Sequence, residues 1–209
     1  MRRLGAALLL GALLLAPSPA SQATLPGEAP GVLPEPPFHQ GELLAASPEM
    51  GDPRFRQAVI LLVRHGAGGA FGLVLNKPVS EVPLADLMRR FRVPGEAGEE
   101  TVRLHYGGPV QPELGFVLHT LEAGPAPRER VNGWVGMSPI PEVLQAIAEG
   151  RRPAKLLFVL GYAGWGPGQL EAEMAQGAWE TAPADEDILF DPGHETKWER
   201  AMERRTRTL

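Results

Sequence analysis

The stretch from Gly161 to Met174, GYAGWGPGQLEAEM, comes closer to a ligand-binding motif than any other part of this sequence. An apolar run precedes it, four glycines lie at positions 161, 164, 166 and 168, and a helical pattern follows. Phosphate-binding loops are built from a strand, a glycine-rich turn and a helix, because backbone N–H groups and the helix N-terminus then face the anion. The stretch therefore poses the question of a nucleotide site.

The loop lacks the residues that phosphate binding requires. A P-loop continues its GxxxxG spacing with lysine and then Ser or Thr, but Pro167 and Gly168 occupy those positions. A GxGxxG loop needs a third glycine where Gln169 stands, and the glutamates that open the helix would repel phosphate. We therefore predict a tight strand-to-helix turn with Trp165 packed on it. Whether Gln169 and Glu171 bind another ligand stays open.

No other set of residues forms a recognised catalytic or metal-binding motif. The chain has no cysteine, which excludes thiol catalysis and zinc–thiolate sites. The histidines match no zinc signature, although His105 and His119 lie on candidate neighbouring strands and could approach each other. There is no GxSxG motif, and serines such as Ser80 and Ser138 precede helices, as capping residues do. We assign no catalytic residue, no metal ligand and no cofactor.

The N-terminus has the pattern of an export signal. MRRLG is basic, AALLLGALLLA is an apolar run of 11 residues, and Ser21 and Ala23 are small residues at a cleavage site. The run is too short to span a bilayer as a helix. We predict a signal peptide over residues 1–23 and a periplasmic or secreted protein with no stable membrane span after cleavage. An uncleaved anchor or a misassigned start codon is the alternative.

The charge of the chain does not favour nucleic acid as a partner. The net charge is -5, and loss of Arg2 and Arg3 with the leader takes it to -7. Binding to a phosphate backbone needs a basic surface, whereas the C-terminal arginines alternate with glutamates. We expect no nucleic-acid partner.

The remaining sequence divides into a linker and one domain. Residues 24–40 are rich in proline and favour an extended linker, and residues 41–209 are expected to form the domain. Its early strands follow one another without helices, which indicates a mixed α/β (α+β) fold rather than a regular doubly wound sheet. The predicted strands are 42–47, 57–65, 70–77, 101–107, 115–121, 131–137, 154–161 and 188–190, and the predicted helices are 81–91, 139–149, 168–177 and 194–206.

Four separated motifs occur in one order: GELLAASPEMGDPRF, VILLVRHGAGGAFGLVLNKP, YGGPV and GYAGWGPGQLEAEM. On these motifs the chain resembles the YqgE/AlgH family of bacterial proteins over roughly residues 41–192. The resemblance implies a single compact domain with a bifurcated, partly barrel-like mixed sheet flanked by helices. The family has no established enzymatic activity. The resemblance also implies a cytoplasmic location, whereas the leader of this chain indicates export.

Two hypotheses for function follow. The first is a non-catalytic binding or regulatory module that acts outside the cytoplasm on an unknown protein or small-molecule partner. The second is a small-ligand-binding protein or enzyme whose site gathers polar motif residues, since such residues in loops around an apolar sheet are where a site would lie. The candidate residues are Asp52, His65, Asn76, Gln169 and Glu171.

Overall fold

The computed structural model describes residues 38–95 and 97–206. The predicted signal peptide, and the predicted linker up to residue 37, lie outside these residues. The described part contains β1 (Leu43–Ala46), β2 (Val59–Gly66), β3 (Gly69–Val74), β4 (Pro78–Pro83), α1 (Leu84–Arg90), β5 (Thr101–Tyr106), β6 (Val110–Thr120), β7 (Glu129–Arg130), β8 (Val135–Pro139), α2 (Ile140–Ala148), β9 (Leu156–Trp165), α3 (Gln169–Ala175), β10 (Trp179–Ala182), α4 (Glu186–Leu189) and α5 (Lys197–Glu203).

The ten strands form one sheet that branches at β9. The main path runs in the order β10-β1-β2-β3-β9-β6-β8-β7, and β5 and β4 leave it at β9. One edge of β9 pairs with β6, whereas the other pairs first with β5 and then with β3. The β5–β9 pair is parallel and the others are antiparallel. The predicted mixed α/β class and bifurcated sheet are confirmed, and the sheet does not close into a barrel.

Gly161 allows β9 to change partners. Its φ is +70°, and a Cβ there would lie 2.6 Å from the carbonyl oxygen of Gly108. The predicted turn beginning at Gly161 is wrong, because the strand bends at this glycine and continues to Trp165. Hydrogen bonding to β3 holds the continued segment in the sheet. This pairing leaves no local signal in the sequence. Only the short stretch between Trp165 and Gln169 forms the turn into α3.

Two other predicted elements differ in the structure. Ser80 does not cap α1, because it lies in β4 opposite Leu104 and the helix begins only after Pro83. The predicted strand over residues 188–190 is instead the end of α4, where the carbonyl of Asp185 accepts hydrogen bonds from the next turn. Pairing with β5 makes the first segment a strand, and helical hydrogen bonds to Asp185 make the second a helix.

The core explains why several strands read as continuous apolar runs. Leu43 of β1 faces one cluster of buried side chains, with α4 and α5, whereas Leu44 faces another, with α3. Both faces of β1 and β2 are therefore covered, and alternation with polar residues is lost. A third cluster packs under α1 and α2. Within residues 38–95 and 97–206, no helix is long and apolar enough to cross a membrane.

Candidate functional site

Two cavities meet at Gly164 and Trp165 and together form what we call the α3 cleft. The first has a volume of about 260 Å³ and lies between α3, β10 and the loop after β1. The second, more open, has a volume of about 730 Å³ and lies along β3 and β9. The first is lined by Met50, Asp52, Arg54, Phe55, Pro109, Ala163, Gly164, Trp165, Gln169, Glu173, Ala178 and Trp179. The second is lined by Gln40, Arg64, His65, Gly66, Gly68, Gly69, Ala70, Phe71, Val110, Tyr162, Gly164 and Trp165.

The carboxylate of Glu173 holds two tryptophans in the wall of the first cavity. Its Oε2 accepts hydrogen bonds from Nε1 of Trp165 at 2.9 Å and from Nε1 of Trp179 at 2.8 Å. The two indole rings meet edge to face, with centroids 5.9 Å apart and planes at 82°. Charge-assisted bonds from two buried donors are strong interactions, so this carboxylate fixes the shape of the cavity. Glu173 is not among the candidate residues predicted from the sequence.

Gln169 belongs to the same network. Its Nε2 donates to Oε1 of Glu173 at 2.9 Å, and its Oε1 accepts from the backbone N–H of Gly166 at 3.1 Å. Because α3 begins at Gln169, the i, i+4 spacing places the two side chains on one face of the helix. Gln169 is therefore both a lining residue of the first cavity and a brace for its glutamate.

Asp52 lies at the mouth of the first cavity, paired with Arg54. Its carboxylate accepts hydrogen bonds from the backbone N–H of Arg54 at 2.9 Å, from Nε at 3.0 Å and from Nη2 at 2.6 Å. These bonds lower the pKa of Asp52 below its usual value. The guanidinium carbon lies 5.8 Å from the ring centroid of Phe55, which packs edge-on against Trp179. The mouth thus combines an ion pair with aromatic surface.

His65 contacts Glu171 next to the second cavity. Its Nε2 lies 3.2 Å from Oε1 of Glu171, and its Nδ1 accepts the backbone N–H of His39 at 3.0 Å. Because Nδ1 is an acceptor, the proton lies on Nε2 and is donated to the carboxylate. The imidazole is fully buried, with Phe38 and His39 packed on it. Only the backbone of His65 therefore reaches the cavity surface.

Glu171 keeps one oxygen without a hydrogen bond. Its Oε2 is buried and has no partner among residues 38–95 and 97–206. Most buried polar atoms in native proteins have a partner, so such an atom needs an explanation. Glu171 retains an acceptor that a ligand donor or a water molecule can use.

Asn76 lies in neither cavity. Its Oδ1 accepts the backbone N–H of Val59 at 2.9 Å, and its Nδ2 donates to the carbonyl of Gln57 at 2.8 Å. Gln57 has a φ of +53°, which is unfavourable for a residue with a side chain. These two bonds hold the entry to β2. Of the five candidate residues, Asp52 and Gln169 line the first cavity, His65 and Glu171 pair beside the second, and Asn76 is separate.

The predicted approach of His105 to His119 does not occur. β9 lies between β5 and β6, so the two histidines are on strands that do not pair. Nε2 of His119 lies 3.1 Å from Oγ of Ser138, which also accepts the N–H of Arg128. Ser138 therefore does not cap α2. His119 and Ser138 are completely buried, so no substrate can reach this serine–histidine pair.

His105 is expected to make stability depend on pH. Burial, aided by the charges of Lys197 and Arg103, lowers the pKa of His105 from 6.5 to about 4. Between these values the unfolded chain binds a proton that the folded protein does not, so stability rises with pH. We expect on the order of 2–3 kcal/mol to be present above about pH 6.5 and lost as the pH falls through about 4.

Urea unfolding across that pH range measures this effect. The variant His105→Phe should depend less on pH over the same range, because it lacks the titrating group. His119 retains part of the dependence, since burial lowers its pKa as well. Equal slopes for the variant and the wild type would contradict the assignment to His105.

The α3 cleft combines apolar walls with a few polar groups that are already held by partners. Its two cavities are lined without Ser, Thr, Cys or Lys, and the carboxylates of Asp52 and Glu173 are each held by their partners. In the part of the chain that the structure describes, no group of three side chains is placed to hold a metal ion. Apolar walls with a few fixed polar groups are typical of ligand sites.

The fold and the cleft define a mixed α/β protein with a branched sheet and a ligand-sized surface depression. The chain belongs to the AlgH-like family, whose family model matches residues 43–208. This confirms the resemblance to the YqgE/AlgH family that the motifs indicated.

Individual relatives support the same assignment. A UPF0301 protein from Jannaschia sp. (strain CCS1) is 43% identical over 165 residues, covering 78% of this chain and 86% of its own. The solution structure of the AlgH protein from Pseudomonas aeruginosa has a TM-score of 0.66 and 39% identity, covering 86% of this chain and 92% of that one. A crystal structure from Corynebacterium diphtheriae, with a TM-score of 0.65 and 23% identity, shares the fold.

Proposed function

We propose that this protein is a non-catalytic binding module and that the α3 cleft is its binding site. One observation carries the proposal: Glu173 fixes Trp165 and Trp179 in the wall of a cavity whose mouth holds the Asp52–Arg54 pair. A site held in shape before the ligand arrives binds with less loss of conformational freedom. The partner is an unknown protein or small molecule.

The geometry also indicates what such a ligand must contain. Met50, Phe55 and the tryptophan edges offer apolar and aromatic surface inside the first cavity. Arg54 is largely exposed at the mouth and keeps N–H groups that Asp52 does not occupy. The ligand therefore combines an apolar group that enters the cavity with an acceptor that reaches Arg54.

A fragment screen followed by two-dimensional ¹H–¹⁵N NMR tests the proposal. The expected result is that the amide shifts of binding fragments cluster around the loop after β1, the end of β9 and α3. Clustering elsewhere on the protein, or no binder among aromatic acids and amides, would contradict it.

Replacing Arg54 should weaken that binding without unfolding the protein. Arg54→Ala removes the exposed donor at the mouth, and we expect an increase in Kd of about tenfold, the loss expected for one hydrogen bond to a charged group. Arg56→Ala is the matched control, because Arg56 is exposed, two residues away and outside both cavities. Titration of the strongest fragment by NMR measures both variants. An equal loss in the two would contradict the assigned role of Arg54.

The second candidate function is an enzyme or small-ligand-binding protein centred on His65 and Glu171. The observation that favours it is the unpartnered, buried Oε2 of Glu171 beside a histidine. This function requires Phe38 and His39 to move off the imidazole. Under this alternative Glu171→Gln abolishes activity or binding, whereas under the first it leaves binding in the tryptophan cavity unchanged.

Export is a separate proposal that rests on the leader pattern of residues 1–23. Its support is the basic start, the apolar run and the small residues before Thr24, while the relatives reported above are bacterial proteins. N-terminal sequencing of protein from fractionated cells should give Thr24 as the first residue. Intact Met1 in the cytosolic fraction would instead support the cytoplasmic alternative.

A further inference from the structure

A third cavity, which we call the His105 cavity, shares no lining residue with the α3 cleft. It has a volume of about 310 Å³ and lies between β4, β5, β9 and the segment after α4. Its lining is Glu81, Glu100, Thr101, Val102, Arg103, His105, Arg152, Ala154, Leu156, Leu157, Phe158, Phe190, Asp191 and Pro192. A cavity of this size holds a small molecule.

His105 presents an unused acceptor in this cavity. Its Nδ1 lies 3.3 Å from the carbonyl oxygen of Phe158, which can only accept, so Nδ1 carries the proton. Nε2 is therefore a lone-pair acceptor, and it has no hydrogen-bond partner within residues 38–95 and 97–206. Nε2 is not fully buried either: among the described residues, the fully buried side-chain atom that lacks a hydrogen-bond partner is Oε2 of Glu171. His105 is 7% exposed and lines the cavity.

The imidazole stays neutral at neutral pH. Burial lowers the pKa of His105 to about 4, and the positive charges of Lys197 and Arg103 act in the same direction. A neutral imidazole with one nitrogen already donating can only accept through the other. The group that completes its hydrogen bonding must therefore be a donor.

The charged groups that line the cavity already have partners. Arg103 donates to Glu81 through Nε at 3.0 Å and Nη2 at 2.7 Å, and to the carbonyl of Pro192 at 3.1 Å. Asp191 accepts from Gly193 and Arg200, and Glu100 pairs with Arg152. Both signs of charge surround the space. An ion of either sign would therefore face a like charge, whereas an uncharged polar molecule meets no such repulsion.

We propose that the His105 cavity is a second binding site, which takes an uncharged small molecule whose hydroxyl or amide group donates a hydrogen bond to Nε2 of His105. An ammonium donor is disfavoured because, although both signs of charge line the cavity, the charges that act on the imidazole itself are the positive ones of Lys197 and Arg103. A carboxylate is disfavoured because it has no proton for Nε2. The site is independent of the α3 cleft, so either can fail without the other.

Three molecules of nearly equal size and shape separate these possibilities. Acetamide is uncharged and has a donor, acetone is uncharged and has none, and acetate is an anion without a donor. Each is titrated into the full wild-type chain at neutral pH while the Nε2 resonance of His105 and the amides of Arg103 and Phe158 are followed by NMR. The wild-type protein suffices, so the test does not depend on a core variant folding.

We expect acetamide to produce a saturable shift of the Nε2 resonance, and acetone and acetate to bind at least about tenfold more weakly, the effect of one lost hydrogen bond. In His105→Phe, if its amide dispersion shows that it is folded, acetamide should no longer shift the amides of Arg103 and Phe158. Equal or tighter binding of acetone or acetate would overturn the proposal. Absence of any saturable shift with acetamide would overturn it equally.

Discussion

Gly161→Ala is expected to destabilise the protein by about 3 kcal/mol, because alanine is unfavourable in this backbone conformation and its Cβ would also clash with a neighbouring atom. The φ of +70° disfavours any side chain, and the new Cβ would lie 2.6 Å from the carbonyl oxygen of Gly108. Backbone atoms cannot move aside as a flexible side chain can. The strand that carries Trp165 into the wall of the α3 cleft would therefore shift, and we expect binding there to weaken as well.

Gly177→Ala is the matched control for this prediction. Gly177 has a φ of +74°, and a Cβ added to it meets nothing within 4 Å. It should show only the backbone penalty, about 1 kcal/mol. Urea unfolding of both variants separates the cost of the backbone conformation from the cost of the steric clash. Equal losses of stability would contradict the close contact between position 161 and the carbonyl oxygen of Gly108.

Glu173→Ala is the second large effect. It leaves the indole N–H groups of Trp165 and Trp179 without an acceptor in a buried wall, and each such group costs about 1–3 kcal/mol. We expect a loss of about 2–5 kcal/mol in the free energy of unfolding and a loss of ligand binding in the first cavity. Both tryptophans are almost completely buried, so water cannot easily replace the carboxylate.

Glu173→Gln tests the cause. Its amide oxygen can accept both indole bonds, but it lacks the charge and its amide nitrogen faces the Nε2 donor of Gln169, so the loss should be about 1–2 kcal/mol. Near-ultraviolet circular dichroism reports the indole packing, and urea unfolding reports the stability. If Glu173→Ala changes the stability by less than about 0.5 kcal/mol, the carboxylate does not hold the wall.

The sequence predicted the family, the mixed α/β class and most strands, because these depend on apolar runs and on separated motifs. It misplaced the turn at Gly161 because glycines in a bent strand and glycines in a turn look alike. Whether the segment after Gly161 is strand depends on its pairing with β3, for example of Ala163 with Gly72, much earlier in the chain. Such pairing has no local signal.

Only part of the candidate site was predicted, again because contacts between distant parts of the chain leave no local signal in the sequence. Gln169 and Glu171 were selected within the glycine-rich motif, but Glu173 was not, because its two partners converge on it only in the folded sheet. The i, i+4 spacing from Gln169 was the one local hint. Asn76 has the residue type of a ligand-binding group, yet its amide is used by the backbone around Gln57.

Blocking the α3 cleft at Gly164 tests the proposed function most directly. Gly164 lines both cavities, it is exposed, and the nearest atom to a Cβ there is a ring carbon of Tyr162 at 3.3 Å, which can give slightly. Gly164→Trp should therefore fold and fill the cleft. Gly133→Trp is the control, since a Cβ at Gly133 meets nothing within 4 Å and Gly133 lies outside both cavities.

The measurement is NMR titration of the strongest fragment into the wild type and these two variants, with folding checked by amide dispersion. If the α3 cleft is the binding site, the wild type and Gly133→Trp bind with the same Kd, whereas Gly164→Trp shows no saturable shift. Binding by Gly164→Trp with the wild-type Kd would contradict the account, because the ligand would then occupy a surface other than the α3 cleft.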